Sequence, residues 1–326
     1  MLLIMRTQVL VLSDPGEPQL AMLDELRPNA DIVTGNSMQA FANALAEATV
    51  VFNWSGSLDL LRDVVDQCPN LQWMHSRSVG LERTLFPELV ESSVTLTNGR
   101  GVFSASLGEF ALAAILYFAK DLRRMISNQV AGRWEPFDIV PISGQTVGII
   151  GYGDIGRAVA TRVRPMGMKV LALKRHASSS RSPDSLVDQL YPSERRLDML
   201  PHCDYVVVST PLTSETQAMI GEREFAAMKR TAVVINVGRG PVIEERALIQ
   251  ALASGRIKGA ALDVFDQEPL PAGHPFYTLE NVLLSPHCAD HTPDWLERAM
   301  RFFIEQFKRF RDRQPLMHVV DKKLGY

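Results

Sequence analysis

Cysteine is scarce in this sequence: Cys68, Cys203 and Cys288 are the three in 326 residues. They are odd in number and widely spaced, which excludes a disulfide framework and any spacing typical of a metal site. We therefore expect reduced thiols, no bound metal and a reducing compartment, the cytoplasm.

The sequence also lacks a strong net charge and a long apolar run. A formal net charge of −3 gives no electrostatic reason to expect a nucleic acid or a membrane surface as partner. The longest apolar run, residues 110–119, has about half the length that spans a bilayer. The initial "MLLIM" has no basic region before it and meets Arg6 at once, so we expect a tail before a first strand and no signal peptide.

Short strand-like and helix-like segments alternate along the N-terminal third of the chain. The strand-like segments are "TQVLVLS", "ADIVTG", "TVVFNW", "LQWMHS" and "VTLTN", and helical patterns such as "EPQLAMLDELR" lie between them. This alternation is typical of βαβ units and predicts a parallel sheet. A long helical pattern, residues 106–125, then follows, with Ser106 and Glu109 at capping-box spacing.

A second alternating series starts at "TVGIIG" and continues through "MKVLAL", "DYVVVST", "AVVINVG", "GAALDVF" and "NVLLSPH". Six strands with intervening helices match a complete dinucleotide-binding fold. The sequence therefore predicts an α/β protein of two domains, each a parallel sheet with flanking helices. A Rossmann-type cofactor domain, 104–288, would be inserted into a flavodoxin-like substrate domain, 1–103 plus 289–326. The last helical pattern, with an apolar stripe that includes Phe303 and Phe307, would pack on the N-terminal domain.

Glycines follow the first strand of the second series in a G-x-G-x-x-G pattern, at Gly151, Gly153 and Gly156. They lie between an apolar strand and a helix over 154–163, which is the context that a dinucleotide site requires. Glycine permits the tight turn, and the helix N-terminus presents free N–H groups to a pyrophosphate. The alternative is a plain strand–helix turn.

Polar residues follow three of the later strands. Arg239 lies in "NVGRG", Glu268 in "LDVFDQEPLP" and His287 in "SPHCA". Each has an ordinary alternative: a solvated loop cation, a turn residue before a proline and a hydrogen-bonded histidine. Together, at the strand edge where α/β sheets bind ligands, a cation and an acid beside a nicotinamide suit carbonyl reduction, because both stabilise the charge that grows on oxygen.

These segments resemble the D-2-hydroxyacid dehydrogenase family over almost the whole chain, in order and spacing as well as content. The similarity includes "SVG" at 78–80, "GYGDIG" at 151–156 and "TPLTSET" at 210–216. The chain is most similar to the glyoxylate/hydroxypyruvate reductase branch. The resemblance implies an NAD(P)-dependent enzyme that converts a small 2-oxo acid to a D-2-hydroxy acid, and a homodimer formed around the 106–125 helix and the "AGRWEPFDIVP" loop.

The resemblance also implies roles for single residues. Arg239 would bind the carboxylate and keto oxygen of the substrate, and His287, paired with Glu268, would protonate that oxygen. The substrate-binding residues would be Ser78, Val79 and Gly80, with Arg239 and His287. The cofactor-binding residues would be Gly151, Gly153, Asp154, Ile155, Gly156, Lys174, Arg175, Thr210, Pro211, Thr216, Val237, Gly238, Arg239, Asp263, His287 and Asp290.

The strand "MKVLAL" is not followed by the acid that would bind the ribose hydroxyls of NAD. Lys174 takes that place, with Arg175 and His176 after it and Arg181 close by. Cations suit the 2′-phosphate of NADP, so we expect NADP(H) as the preferred cofactor, with NAD(H) possible. The alternative is a solvated basic loop on an enzyme that uses NAD.

Further alternatives concern the substrate. Asp290, where the family has a small residue, places a carboxylate near the nicotinamide or belongs to the N-cap region of the last helix. The substrate side chain would lie near Trp54, Arg77 and Trp134.

Competing functions are a non-catalytic NAD(P)H-sensing scaffold of corepressor type and another dehydrogenase of the family, acting on phosphoglycerate or phosphite. Short tails after the last helix disfavour both the scaffold and a regulated phosphoglycerate enzyme.

Overall fold

Two parallel β-sheets organise the chain, one in each of two units. The computed structural model describes residues 6–175 and 184–326. Unit 1 comprises the chain up to Val102 together with Thr292–Tyr326, and unit 2 comprises Phe103–His291. Unit 2 is therefore an insertion into unit 1, and its ends lie close to the domain boundaries predicted at 103/104 and 288/289.

Unit 1 is built on a five-stranded sheet with the order β2-β1-β3-β4-β5, all parallel. This is the flavodoxin-like order. All five strands predicted for the N-terminal third are confirmed. The strands are β1 Thr7–Leu12, β2 Ala30–Gly35, β3 Ala48–Asn53, β4 Trp73–Ser76 and β5 Thr95–Asn98. The helices are α1 Met38–Phe41, α2 Leu58–Asp66, α3 Pro87–Glu91 and α10 Trp295–Arg311, with 3₁₀ helices at Pro18–Leu26 and Leu45–Glu47.

An apolar core covers one face of this sheet and aromatic rings cover the other. Leu10, Leu61 and Met74 belong to the first cluster. On the other face, the ring of Phe303 in α10 stacks on Phe52 at 3.9 Å between centroids and lies 5.5 Å from the ring of Trp73. The prediction that the last helix packs on the N-terminal domain is therefore confirmed.

Unit 2 contains a seven-stranded parallel sheet with the order β8-β7-β6-β9-β10-β11-β12. Six of the seven strands were predicted. The run β8-β7-β6-β9-β10-β11 follows the Rossmann order 3-2-1-4-5-6, with the chain reversing direction across the sheet beside β6, and β12 adds a seventh strand at the edge. The strands are β6 Thr146–Ile150, β7 Lys169–Leu173, β8 Gln189–Tyr191, β9 Tyr205–Val208, β10 Val233–Asn236, β11 Gly259–Leu262 and β12 Val282–Leu284. The prediction missed β8, because a three-residue strand is too short to show a periodic pattern.

The helices of unit 2 differ from the prediction at one place. They are α4 Ser104–Ala119, α5 Leu122–Val130, α6 Asp154–Val163, α7 Arg196–Met199, α8 Glu222–Ala227 and α9 Glu245–Ala253. The 3₁₀ helices are Arg164–Met166, Ser193–Arg195, Leu200–His202, Gly240–Val242 and Pro275–Tyr277. The single predicted helix over 106–125 is wrong, because Asp121 adopts a left-handed φ of 50° and separates α4 from α5.

The predicted capping box of Ser106 and Glu109 is also wrong. Helix α4 begins at Ser104, so Ser106 lies inside its first turn. The Ser106 hydroxyl donates instead to the carbonyl oxygen of Ala289 at 2.6 Å, and Glu109 accepts a hydrogen bond from Arg162. Within the described ranges, no helix combines the length and the apolar character needed to cross a membrane.

Candidate active site

The glycine loop forms the turn between β6 and α6. Gly151 has a φ of +97°, and a Cβ there would lie 2.8 Å from the backbone nitrogen of Thr210. A Cβ at Gly156 would lie 2.5 Å from the carbonyl oxygen of Gly151. Both positions therefore require glycine, one for its backbone conformation and both for close approach. They bring the start of α6 against the end of β6.

Gly153 has a different environment, because a Cβ at this position would meet no atom within 4 Å. The protein itself does not require glycine there, whereas a pyrophosphate that approaches the N-terminus of α6 does. The Thr210 hydroxyl beside Gly151 is buried and has no hydrogen-bond partner in the described part of the chain. An open backbone and a buried hydroxyl that lacks a partner fit a dinucleotide at this turn.

The residues after β7 present two cations at the same sheet edge. Lys174 is exposed, and its backbone N–H donates to the carbonyl oxygen of Tyr191 at the end of β8. The Arg175 guanidinium lies 2.7 Å from the carboxylate of Glu215, in the "TPLTSET" loop. His176 and Arg181, which were predicted to accompany them, lie outside the described residues.

The turn after β10 places Arg239. The side chain of Asn236, which is 1% exposed, accepts from the N–H of Gly238 at 3.1 Å and donates to the carbonyl oxygen of Arg239 at 3.0 Å. A Cβ at Gly240 would lie 2.0 Å from the carbonyl carbon of Phe265, so the loop packs directly on the segment after β11. Sequence reasoning missed Asn236, although an amide that ends an apolar strand was a usable signal.

Glu268 and His287 form a pair in unit 2. One carboxylate oxygen of Glu268 accepts the N–H of Phe265 at 2.9 Å, and the other lies 2.6 Å from Nδ1 of His287. The His287 side chain is 44% exposed, so Nε2, on the other side of the ring, remains available for a ligand. His287 adopts a φ of 52°, a sparsely populated conformation for a residue with a Cβ and one that clusters at functional sites.

The "SVG" segment follows β4 in unit 1. The side-chain nitrogen of Asn98, a buried residue at the end of β5, donates to the carbonyl oxygen of Val79 at 2.8 Å. In the described part of the chain, no acceptor is recorded for the N–H groups of Val79 and Gly80. These two donors are therefore free to bind an anion such as a carboxylate.

Comparison with known proteins now decides the family. Residues 112–289 match the model of the D-isomer specific 2-hydroxyacid dehydrogenase, NAD binding domain. The chain belongs to this dehydrogenase family. A glyoxylate reductase of Korarchaeum cryptofilum is 34% identical over 271 residues, 80% of each chain. A glyoxylate reductase of Thermofilum pendens is 33% identical over 307 residues, 90% of this chain and 88% of the relative.

A solved structure extends the likeness to the whole fold. The NADPH-dependent glyoxylate/hydroxypyruvate reductase of Sinorhizobium meliloti, in complex with NADP and sulfate, aligns with a TM-score of 0.84 and 27% identity. The alignment covers 98% of this dehydrogenase and 100% of that chain. The predicted family and fold class, with a Rossmann domain and parallel sheets in both parts, are confirmed.

Several residues of the dehydrogenase that were predicted to bind the cofactor also stabilise the protein's own structure. The Thr216 hydroxyl accepts a hydrogen bond from the N–H of Thr213 at 2.8 Å and donates one to the carbonyl oxygen of Pro211 at 2.6 Å. Both bonds stabilise the loop that contains Thr216. Ile155 and Val237 belong to or pack against the apolar core of unit 2, and Asp154 opens α6. Their backbone positions agree with a cofactor-binding role, which stays a prediction.

Asp263 connects the end of β11 to the segment that carries His287. It is 1% exposed, and one carboxylate oxygen accepts from Ser285 Oγ at 2.6 Å and from the N–H groups of Cys288 and Ala289 at 2.9 and 3.1 Å. These contacts position the backbone on both sides of His287. The predicted role of Asp263 in binding the cofactor stays a prediction.

Asp290 is not the N-cap residue of the last helix, because α10 begins at Trp295 with Asp294 before it. Burial raises the pKa of the Asp290 carboxyl, and His291, whose Nε2 lies 3.8 Å away, opposes that shift. The interpretation as a helix cap is therefore wrong, whereas the prediction of an additional carboxylate near the site remains.

Proposed function

We propose that this dehydrogenase reduces a small 2-oxo acid of the glyoxylate or hydroxypyruvate type to the D-2-hydroxy acid, with NADPH as the preferred cofactor. The observation that carries the proposal is the 2.6 Å contact between Glu268 and Nδ1 of His287, in the unit that has the dinucleotide-binding turn. The similarity to glyoxylate reductases and to an NADP-bound reductase supports the substrate and the cofactor.

The side chains of unit 2 suit proton transfer to a carbonyl oxygen. A bound nicotinamide supplies a hydride to C2 of the substrate. The Glu268 carboxylate contacts Nδ1 of His287 and fixes the orientation of the ring, so that Nε2 would donate a proton to the oxygen. Arg239 supplies a forked cation for the carboxylate and the growing oxyanion. In unit 1, the N–H groups of Val79 and Gly80 would bind the substrate carboxylate.

The cofactor preference rests on the cations after β7. Lys174 is exposed and has no ion pair in the described part of the chain, and Arg175 already binds a carboxylate, that of Glu215. The contact with Glu215 supports this position as a site for an oxyanion. A 2′-phosphate would replace or join Glu215 there, whereas the ribose hydroxyls of NAD would find no acid to accept their hydrogen bonds.

Steady-state kinetics with a panel of 2-oxo acids and both cofactors tests the proposal. Lys174→Asp should lower the ratio of kcat/KM with NADPH to that with NADH by about 10- to 100-fold, the value of one charge-assisted contact. Lys169→Gln, which removes a cation from the opposite end of the same strand, is the control and should leave the ratio unchanged. Wild-type preference for NADH would refute the assignment of the cations.

We also propose a homodimer formed by the α5 region of unit 2. This region exposes an unusual amount of apolar surface, with Val130 84% and Trp134 98% exposed and Met125, Ile126 and Ile139 also exposed. Such a patch marks an interaction surface. Light scattering should find a dimer for the wild type and a monomer for Val130→Asp, whereas Leu324→Asp, at an exposed apolar residue of unit 1, should leave the mass unchanged. A monomeric wild type at micromolar concentration would contradict the proposal.

A further inference from the structure

An arginine in unit 1 lies between two tryptophan rings. The Cζ atom of Arg77 is 4.7 Å from the ring centroid of Trp54 and 5.4 Å from that of Trp295. Trp54 directly follows β3 and Arg77 directly follows β4, and these strands are neighbours in register at Asn53 and Ser76. The cluster therefore lies at the carboxyl edge of the sheet, where α/β proteins bind ligands.

The charge of Arg77 lacks a counter-ion. In the described part of the chain, its guanidinium forms neither an ion pair nor a side-chain hydrogen bond, and the Glu17 carboxylate acts on it only from a distance. Burial lowers the pKa of Arg77, yet a guanidinium stays protonated at any physiological pH. The Cζ atom lies over both indole rings, which attract the charge through their faces, and the N–H donors of the guanidinium have no acceptor among the described residues.

A second donor without a partner lies in the same cluster. Trp54 is 2% exposed, and its Nε1 has no hydrogen-bond acceptor in the described residues. Leaving a buried N–H without an acceptor is unfavourable, so such a group marks a site where an acceptor binds. This N–H belongs to the ring on which the guanidinium lies, so an uncompensated cation and a buried donor share one small volume.

We propose that Arg77 and Nε1 of Trp54 bind a second anionic group of the substrate, a carboxylate or a phosphate at the end remote from the 2-oxo acid. The inference rests on the proposed function and narrows it to dianionic 2-oxo acids. Val79 and Gly80, whose N–H groups would hold the first carboxylate, follow Arg77 within the same turn. Two anion sites in one short segment select a substrate by charge and length.

Two matched pairs of substrates test the selection and separate the two anions. 2-Oxoglutarate is compared with 2-oxopentanoate, and phosphohydroxypyruvate with hydroxypyruvate. For the wild type we expect kcat/KM to be at least about 10-fold higher for the dianion in one of the pairs, mainly because its KM is lower. A difference of about 10-fold corresponds to one charge-assisted contact. The pair with the larger ratio identifies the anion. Equal values within both pairs would overturn the inference and leave the proposed function intact.

Variants of Arg77 distinguish a role in anion binding from a role in stabilising the fold. Arg77→Met keeps an apolar stem beside the rings and should bring the dianion ratio close to one, because the larger loss of kcat/KM falls on the dianion. Arg77→Lys should recover part of the ratio. Arg62, which lies 5.4 Å above the Phe86 ring and 3.8 Å from Glu88, provides the control, because Arg62→Met should not change the ratio. Equal losses for both substrates in Arg77→Met, with a lower unfolding midpoint, would show a structural role and refute the proposal.

A binding measurement keeps the test independent of turnover. Glutarate, which cannot be reduced, should alter the tryptophan fluorescence of the wild type at concentrations where pentanoate does not, and Arg77→Met should abolish the response. If none of the 2-oxo acids is reduced but the glutarate response is present, the proposed function fails and the anion site stands. If glutarate and pentanoate act alike on wild type, the anion site is refuted whatever the kinetics show.

Discussion

His75 lies in unit 1 near the end of β4, and His287 lies in unit 2 shortly after β12. The ring of His75 is 1% exposed and its Nδ1 lies 2.7 Å from the Thr97 hydroxyl, which also accepts from Trp73 Nε1 at 2.8 Å. The His287 side chain is 44% exposed and its Nδ1 lies 2.6 Å from a carboxylate. Both lie at the carboxyl edge of a parallel sheet.

The surroundings determine what each imidazole can do. Burial, with a smaller contribution from the nearby His318, lowers the pKa of His75 to about 3, so this ring stays neutral and serves as a packed hydrogen-bonding group. His287 is exposed and its Nδ1 contacts Glu268, so the rest of the ring can contact a ligand. Position at a strand end therefore does not distinguish the two histidines, whereas exposure and a carboxylate partner do, and both agree with the role proposed for His287.

The largest expected effect is the loss of turnover in His287→Asn. We expect kcat to fall by about 10²- to 10⁴-fold, the usual contribution of general acid catalysis, with NADPH affinity and the unfolding midpoint unchanged. His274→Asn is the matched control, because His274 also pairs with a glutamate in unit 2, Glu245 at 3.1 Å, but has no predicted role in catalysis. Near-normal turnover in His287→Asn would remove His287 from the mechanism.

Glu268→Gln should lower kcat by about 10- to 100-fold. Both carboxylate oxygens of Glu268 face groups that can donate, the N–H of Phe265 and Nδ1 of His287. An amide has one acceptor oxygen, so either the N–H of Phe265 or the His287 ring loses its acceptor. The kcat-against-pH profile should change shape as well. Glu245→Gln, with its histidine pair elsewhere in the unit, should change neither kcat nor the profile.

In the buried His75 cluster, Thr97→Val should lower the free energy of unfolding by about 1–2 kcal/mol. Trp73 and His75 would lose the hydroxyl that both contact, and burial leaves them no solvent in its place. Urea unfolding measures the change, and turnover per folded molecule should stay normal. Thr95→Val, two residues earlier on β5, should cost less than about 0.5 kcal/mol. A catalytic defect in Thr97→Val at full folding would mean that the His75 cluster is not merely structural.

The pH dependence of stability should be similar in size to the effect of Thr97→Val. Between the ordinary pKa of 6.5 and the folded value of about 3, the unfolded chain binds a proton at residue 75 that the folded chain does not. The contribution of His75 is therefore complete above pH 6.5 and declines as pH falls, by up to about 1.4 kcal/mol per pH unit. The difference in unfolding free energy between wild type and His75→Gln should narrow from pH 7 to pH 5. A constant difference would contradict the burial argument.

Much of the fold follows from short-range patterns. The apolar runs "TQVLVLS" and "TVGIIG" could be assigned to strands because period and composition are local properties, and Gly151 could be assigned to a turn because its conformation is local. The break between α4 and α5 at Asp121 was not predictable, since no proline or glycine marks it. Strand β8 was missed for lack of length.

Local patterns were enough to predict the two parallel sheets, the dinucleotide-binding turn and the polar residues that follow the later strands, since each depends on neighbours a few positions away. The family resemblance had already implied the pairing of Glu268 with His287, whereas the hydrogen bond between Thr97 and His75 and the contacts of Arg77 with Trp54 and Trp295 appear only in the folded chain, where Arg77 has no ion-pair partner among the described residues. These partners are tens to hundreds of positions apart in the chain. Burial and partnership, which set the protonation of a histidine and the availability of an arginine, exist only after the chain has packed.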